Sequence, residues 1–173
     1  MTGNIARYEE QRLIAADPEA IFEILRTPAD LAMVDPSGCW METTGGPVDA
    51  ADDRFIVRFD PEVLASEISA DGFGVSAFDV EMVVSRYERN RSIAWKATPL
   101  EETDWAWLFD EKEEGGYDLE AVDGGTRVTD WNFIMWPDDD DVTEDFILVV
   151  RMQQRIGLAM LARTVAQRTG HTG

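Results

Sequence analysis

At 173 residues with 45% hydrophobic content, the chain is long enough for one domain with a substantial core and too short for two without a visible linker. Its 35 acidic against 15 basic residues leave a formal net charge of -20, which argues against nucleic acid or anionic membrane as a partner, since phosphate binding needs a basic surface. Cys39 is the only cysteine and His171 the only histidine, so an intrachain disulfide, a cysteine- or histidine-rich metal site and a histidine-based catalytic triad are excluded, and no cofactor is expected.

In chain order, residues 1–7 read as a flexible N-terminus. No apolar run there resembles a secretion signal, and no uncharged apolar stretch of about 18 residues follows, so a cytoplasmic protein without membrane insertion is expected. Tyr8 to Ala15 suits an edge strand, with Tyr8, Glu10, Arg12 and Ile14 on one face. Asp17-Pro18-Glu19 then starts a helix: Asp17 is an N-cap able to accept an N–H bond, and Pro18 takes the first helical position. Ala20, Ile21, Ile24 and Leu25 share one face, and Pro28 is expected to end the helix. A second short helix is expected from Ala29 to Val34.

Beyond Ser37-Gly38 the spacing of apolar residues becomes that of strands. These are predicted near Cys39 to Thr44, Arg54 to Phe59, Phe78 to Glu88, Ser92 to Thr98, Trp105 to Lys112, Tyr117 to Val122 and Thr126 to Met135. Gly45-Gly46-Pro47, Glu88-Arg89-Asn90-Arg91, Gly115-Gly116 and Asp123-Gly124-Gly125 supply turn chemistry between them. Such short links imply an antiparallel meander, because parallel strands need long crossovers. Pro61 to Gly74 breaks the pattern as a helical turn and flexible segment, either a lid or a plain loop. The last element begins after Asp138 to Asp141, where Asp141 and Glu144 have capping-box spacing, and runs as a long helix to about Arg168 before Gly170 stops it. Residues 169–173 read as a flexible tail.

One domain over residues 8–168 follows, of α+β class: a curved antiparallel sheet of about seven strands, two short helices and one long C-terminal helix. All three helices must cover the same face of the sheet, or its apolar side stays wet. A bent sheet gripping one helix tends to leave a cavity that side chains do not fill.

At this point several segments resemble a family. Leu13-Ile14-Ala15-Ala16-Asp17-Pro18-Glu19-Ala20-Ile21-Phe22 is similar to the first strand and helix start of the SRPBCC (START-like) superfamily, particularly its polyketide cyclase/dehydrase and lipid-transport members. Asp35-Pro36-Ser37-Gly38, Asp53-Arg54-Phe55, the stretch Glu88-Arg89-Asn90-Arg91-Ser92-Ile93-Ala94-Trp95 and the run from Tyr117 through Asp123-Gly124-Gly125 to Thr129 resemble later landmarks in the same order. The resemblance implies a helix-grip fold with an internal cavity for apolar ligands. It implies no particular reaction, for the superfamily includes carriers, sensors, aromatases and chaperone-stimulating domains.

Candidate ligand-binding residues follow from strand parity. Asp79 and Glu81 mark a solvent face, which turns Phe78, Val80, Met82 and Val84 inward. Ile93, Trp95 and Ala97 are inward in the next strand. These residues line a cavity or simply pack on the terminal helix. In the last strand Val128, Asp130, Asn132 and Ile134 share a face opposite Arg127, Thr129, Trp131 and Phe133. With the first set inward, as in the family pattern, a carboxylate and an amide enter an apolar cavity. Burial then raises the Asp130 pKa and makes it a tentative catalytic proton donor or acceptor, with Asn132 or Tyr117 assisting. On the terminal helix Met152, Ile156, Ala159, Met160 and Arg163 are expected to face the sheet. Leu158, Leu161, Ala162 and Val165 form a neighbouring stripe that belongs either to a broad core face or to a homodimer seam.

Three patterns carry no function. The glycine-rich run Gly72 to Ala77 precedes a strand instead of opening a helix, so it is not a dinucleotide fingerprint. Asp138 to Asp141 lacks the glycine and ligand spacing of a calcium loop. Asn90-Arg91-Ser92 is a glycosylation sequon without consequence inside the cell. The leading expectation is a carrier of a hydrophobic small molecule, lipid or polyketide-like. The alternatives are an aromatase/cyclase-type enzyme and a protein-interaction domain of co-chaperone type.

Overall fold

In the computed structural model, which describes residues 4–63, 74, 76–103, 114–136 and 140–170, the chain opens with a long strand, β1 (Asn4–Ile14). Two short helices follow, α1 (Pro18–Leu25) and α2 (Pro28–Met33). Then come β2 (Trp40–Thr44), β3 (Arg54–Phe59), β4 (Phe78–Glu88), β5 (Ser92–Pro99), β6 (Glu114–Val122) and β7 (Gly125–Trp136). The chain closes with α3 (Asp140–Thr169), whose 30 residues make a rod of roughly 45 Å at 1.5 Å per residue.

The strands form one antiparallel, curved seven-stranded sheet in the order β1-β7-β6-β5-β4-β3-β2. Consecutive strands from β2 to β7 are neighbours, and β1 returns to pair with β7 from Asn4↔Trp136 to Ile14↔Thr126. Residues 4–7, expected to be a flexible N-terminus, are therefore strand. The strand expected at Trp105 to Lys112 lies outside the described residues. Of the Pro61 to Gly74 segment, Pro61 to Val63 form a helical turn and Gly74 is described, while the rest lies outside.

Asp17 occupies the N-cap of α1 with an extended backbone, but its side chain makes no capping bond; its carbonyl accepts the first helical N–H groups instead. The helix ends at Leu25, and Pro28 opens α2 rather than terminating α1. Eight residues are too few for a helix to stand alone in water, so α1 is held by burial of Ile21, Phe22, Ile24 and Leu25. Each such side chain contributes roughly 1.5–3 kcal/mol on leaving water.

They pack with Leu31 and Val34 onto the concave side of the sheet, against Phe55, Val57, Val80, Val84, Ile93, Leu119 and Val128. A bulge in β4 inserts one residue between the pairs Val84↔Trp95 and Arg86↔Ala94. It shifts the strand's parity so that Tyr87 packs against the core, its ring edge-on to Phe22 with centroids 5.4 Å apart.

The phase of α3 differs from expectation. Val150, Gln154, Gly157, Leu158, Leu161 and Val165 are buried, whereas Met152 and Ile156 are 54% and 43% exposed. Ala159 and Arg163 are exposed as well, and only Met160 of the expected set is partly buried against the core. Gly157 lies on the buried side against the turn between α2 and β2, where a Cβ would be in ordinary contact with Pro36, 3.4 Å from its Cδ. No described helix is long and apolar enough to cross a membrane.

Candidate ligand cavity

A cavity of about 400 Å³ lies between the concave face of the sheet, the α2–β2 turn and one stretch of α3. Leu31, Pro36, Trp40, Phe59, Met82, Trp95, Ala97 and Val150 form its apolar walls. Polar groups gather toward β6, β7 and α3: Glu114, Tyr117, Asp130, Asn132, Gln153 and Gln154, with Asp35 on the turn.

Strand register explains why space is left. Met82 faces Ala97 across the β4–β5 ladder, and the short alanine leaves room where a large residue would fill the site. On β6, Gly115 faces Asn132, and a Cβ at Gly115 would sit 2.2 Å from Asn132 Oδ1. Glycine here makes room for the amide.

Asp35 builds the turn that forms the opposite wall. Its carboxylate accepts from Ser37 N (3.2 Å), Ser37 Oγ (2.7 Å to Oδ2) and Trp40 N (3.2 Å), the self-bonding of an Asx turn. Gly38 follows at φ +66°, a left-handed conformation that suits glycine.

Asp130 is the chemical centre of the cavity. It pairs with Tyr117 across β6 and with Glu10 across β1, and its side chain is turned inward and only 7% exposed. Asn132 Nδ2 donates to its Oδ1 at 3.3 Å, and Gln154 Nε2 makes a longer 3.5 Å contact with the same oxygen. That Gln154 amide also donates to the backbone carbonyls of Asp130 and Tyr8, at 3.2 Å each, and so ties α3 to β7 and β1.

No lysine, arginine or histidine lies among the described residues of the cavity wall. Burial therefore dominates and pushes the Asp130 pKa up from 3.8 to about 7; the hydrogen bonds from Gln154, Asn132 and Tyr117 pull it down by less. Tyr117 is raised well above the usual phenol range, first by burial and then by the negative charge of Asp130 and Asp35. Its ring meets Trp95 edge-on at 6.1 Å. At neutral pH the site thus holds a neutral phenol beside a carboxyl that readily gains or loses its proton.

Of the residues singled out in the sequence, Met82, Trp95, Asp130 and Asn132 line the cavity. Phe78, Val80, Val84, Ile93 and Val128 are buried in the adjoining core and do not reach the wall. Met160 packs partly buried against that core, and Ile156 faces solvent, a correction that follows from the rotation of α3. The side chain of Ile134 lies outside the described residues. Sequence reasoning missed Asp35, Gln153 and Gln154. Gln154 carried a signal: it is the polar member of an otherwise apolar helical row through Val150, Leu158, Leu161 and Val165.

Behind the cavity, on the other face of β7, Trp131 is fully buried by charge instead of by a second layer. The guanidinium groups of Arg7 and Arg86 lie 4.8 and 5.2 Å from its ring centroid, and Phe133 meets it edge-on at 5.7 Å. Arg7 and Arg86 in turn sit 3.7 Å from the two oxygens of Asp118.

No protein-family model matches the sequence, and no curated protein matches it. Solved structures do. The crystal structure of Ara h 8.0201 superposes with a TM-score of 0.59 at 14% identity, covering 95% of this chain and 99% of that one. The Aha1 dimer from Colwellia psychrerythraea, solved in solution, gives 0.58 at 18% identity, covering 97% and 99%. DynU16, from the dynemicin biosynthetic locus, gives 0.59 at 13% identity over 95% of this chain and 48% of that one. At such identities the similarity concerns architecture alone, and the chain shares their helix-grip fold, a curved antiparallel sheet with a long C-terminal helix.

Proposed function

We propose that this helix-grip chain binds or carries a hydrophobic small molecule, lipid or polyketide-like, in the cavity between sheet and α3. The observation that carries the reading is the space itself: about 400 Å³ with predominantly apolar walls, within the roughly 300–1,000 Å³ typical of small-molecule sites. Burial of ligand surface against these walls, at about 25 cal/mol per Å², is the driving force. Met82 and the aromatic rings of Trp40, Phe59 and Trp95 are the contact residues, and methionine adapts its shape to different ligands.

Titration with the neutral dye Nile red tests the reading. Saturable one-to-one binding is expected, and Ala97→Trp, which fills the cavity, abolishes it while circular dichroism stays native. Dye binding that is absent, or that persists unchanged in the folded Ala97→Trp protein, contradicts it.

One observation favours a second reading, an aromatase/cyclase-type enzyme. Burial raises the Asp130 pKa to about 7, and its carboxyl faces the cavity with Tyr117 and Asn132, the arrangement a general acid–base needs. On this reading the cavity folds a polyketone and Asp130 moves protons. Incubation with a poly-β-keto thioester separates the two: cyclised product that disappears in Asp130→Asn supports the enzyme, and unchanged turnover in that variant removes it.

A further inference from the structure

The two readings above leave open which end of a lipophile reaches Asp130, and the polar residues of the cavity narrow that choice. Both amide contacts to the Asp130 carboxyl end on Oδ1, from Asn132 on β7 and Gln154 on α3. The Tyr117 hydroxyl on β6 is the remaining group acting on it, with Asp35 on the α2–β2 turn charging the far side of Tyr117. From β1, Glu10 is the cross-strand neighbour of Asp130 and is paired with Arg151 and Arg155 of α3, while the Tyr8 carbonyl is bonded to Gln154. The Asp130 carboxyl thus meets the cavity with uncharged hydrogen-bonding partners on β6, β7 and α3.

All thirteen arginines and Lys96 lie within the described residues, and none of them lines the cavity. Outside the described residues, the basic side chains are Lys112 and His171. An anionic head placed beside Asp130 would meet Asp35 and a chain of net charge -20, with no described cation to neutralise it. An ammonium head donates but cannot accept, so it is poorly matched whenever Asp130 holds its proton. An ester accepts but cannot donate, so it is poorly matched whenever Asp130 has lost it. A hydroxyl does both.

Resting on the reading that the cavity holds a lipophile, we propose that its ligand is an uncharged, hydroxyl-bearing lipophile, an alcohol or phenol, whose hydroxyl sits between Asp130, Tyr117 and Asn132, and that carboxylate-headed lipids are rejected. Met82, Trp40, Phe59 and Val150 then enclose the apolar body. The hydroxyl donates to the carboxylate when Asp130 is ionised and accepts from the carboxyl when it is protonated, so one bound pose serves both states.

Displacement of Nile red from the full chain by four probes of matched length tests this: 1-decanol, methyl nonanoate, decanoate and decylamine. Decanol is expected to bind about tenfold or more tightly than decanoate, the factor set by leaving one charge unpaired in a closed site. Methyl nonanoate falls between the two. Asp130→Asn narrows the gap between alcohol and acid. Should that variant fold poorly, Tyr117→Phe keeps the ring and is expected to weaken decanol about fivefold while leaving the ester unchanged, the loss of one hydrogen bond. Decanoate binding as tightly as decanol overturns the proposal, as does decylamine or the ester binding more tightly than decanol. Nile red failing to bind at all removes the cavity reading itself, whereas dye binding with a reversed head-group order removes only the choice of hydroxyl.

Discussion

Asp130 and Trp131 are neighbours on β7, yet they face opposite sides of the sheet and settle opposite problems. Trp131 is an apolar ring on the convex face, shielded from water by two guanidinium groups that remain anchored to Asp118. Asp130 is a carboxyl on the concave face, buried with no described cation in its cavity. Charge is used outside to cover a hydrophobe at little electrostatic cost, because the arginines stay wet. Inside, an ionisable group is kept where it is unfavourable to the fold. A position that costs stability and borders a cavity supports the proposed binding site.

Substitutions can break or sharpen this contrast. The largest effect is expected for Trp131→Ala, which removes a fully buried ring and leaves both arginines without a surface; unfolding in urea should show a loss of about 3–5 kcal/mol. Asp130→Asn is expected to act in the opposite direction and to depend on pH. Below about pH 3.8 the carboxyl is protonated in folded and unfolded chains alike and contributes nothing. Between there and about pH 7 the unfolded chain gives up a proton that the folded chain keeps, so the wild type loses stability as pH rises, and the loss levels off above about 7. The interval corresponds to as much as about 4 kcal/mol, so the variant should be more stable than wild type by about 2–4 kcal/mol at pH 8 and nearly equal to it at pH 3.5. Equal stability at both pH values would show that Asp130 is solvated.

Smaller effects probe the two faces separately. Gly115→Ala drives a methyl into the Asn132 amide, and a destabilisation of about 1–3 kcal/mol is expected together with weaker dye binding, since Asn132 must swing into the cavity. Arg7→Ala opens one side of the Trp131 sandwich. An exposed cation–π contact is worth about 0.5–1 kcal/mol, and the same modest loss should appear in denaturant unfolding without any change in ligand binding.

Most of the architecture was legible because strand signals are local. The alternation in Phe78 to Val84, bracketed by Asp79 and Glu81, set β4 on the observed residues, and Gly45-Gly46 and Gly124 fell between strands, whereas Gly115-Gly116, expected as a turn, lie inside β6. Alternation placed Asp130 and Asn132 together on one face of β7 but left open whether that face was inward; only the family resemblance pointed it to the cavity. The phase of α3 was not legible, because that helix is apolar over a wide arc and several stripes satisfy the same spacing. What decides among them is long-range packing of Leu158, Leu161 and Val165 into the core of the sheet and short helices, which no window of the helix contains. Asp35, Gln153 and Gln154 escaped for a related reason: each belongs to the cavity through the partner it meets across the fold. Trp131 was assigned to the outward face correctly, but its burial depends on Arg7 and Arg86, which come from two different strands, β1 and β4.

The central claim is that the space beneath α3 belongs to a guest. Native mass spectrometry of the full chain, purified from its own host without added compounds, addresses it most directly. The account predicts a one-to-one adduct that organic extraction removes and that is recovered as a lipophilic compound. A spectrum showing only the bare polypeptide mass, from protein that is folded and freshly isolated, would contradict it.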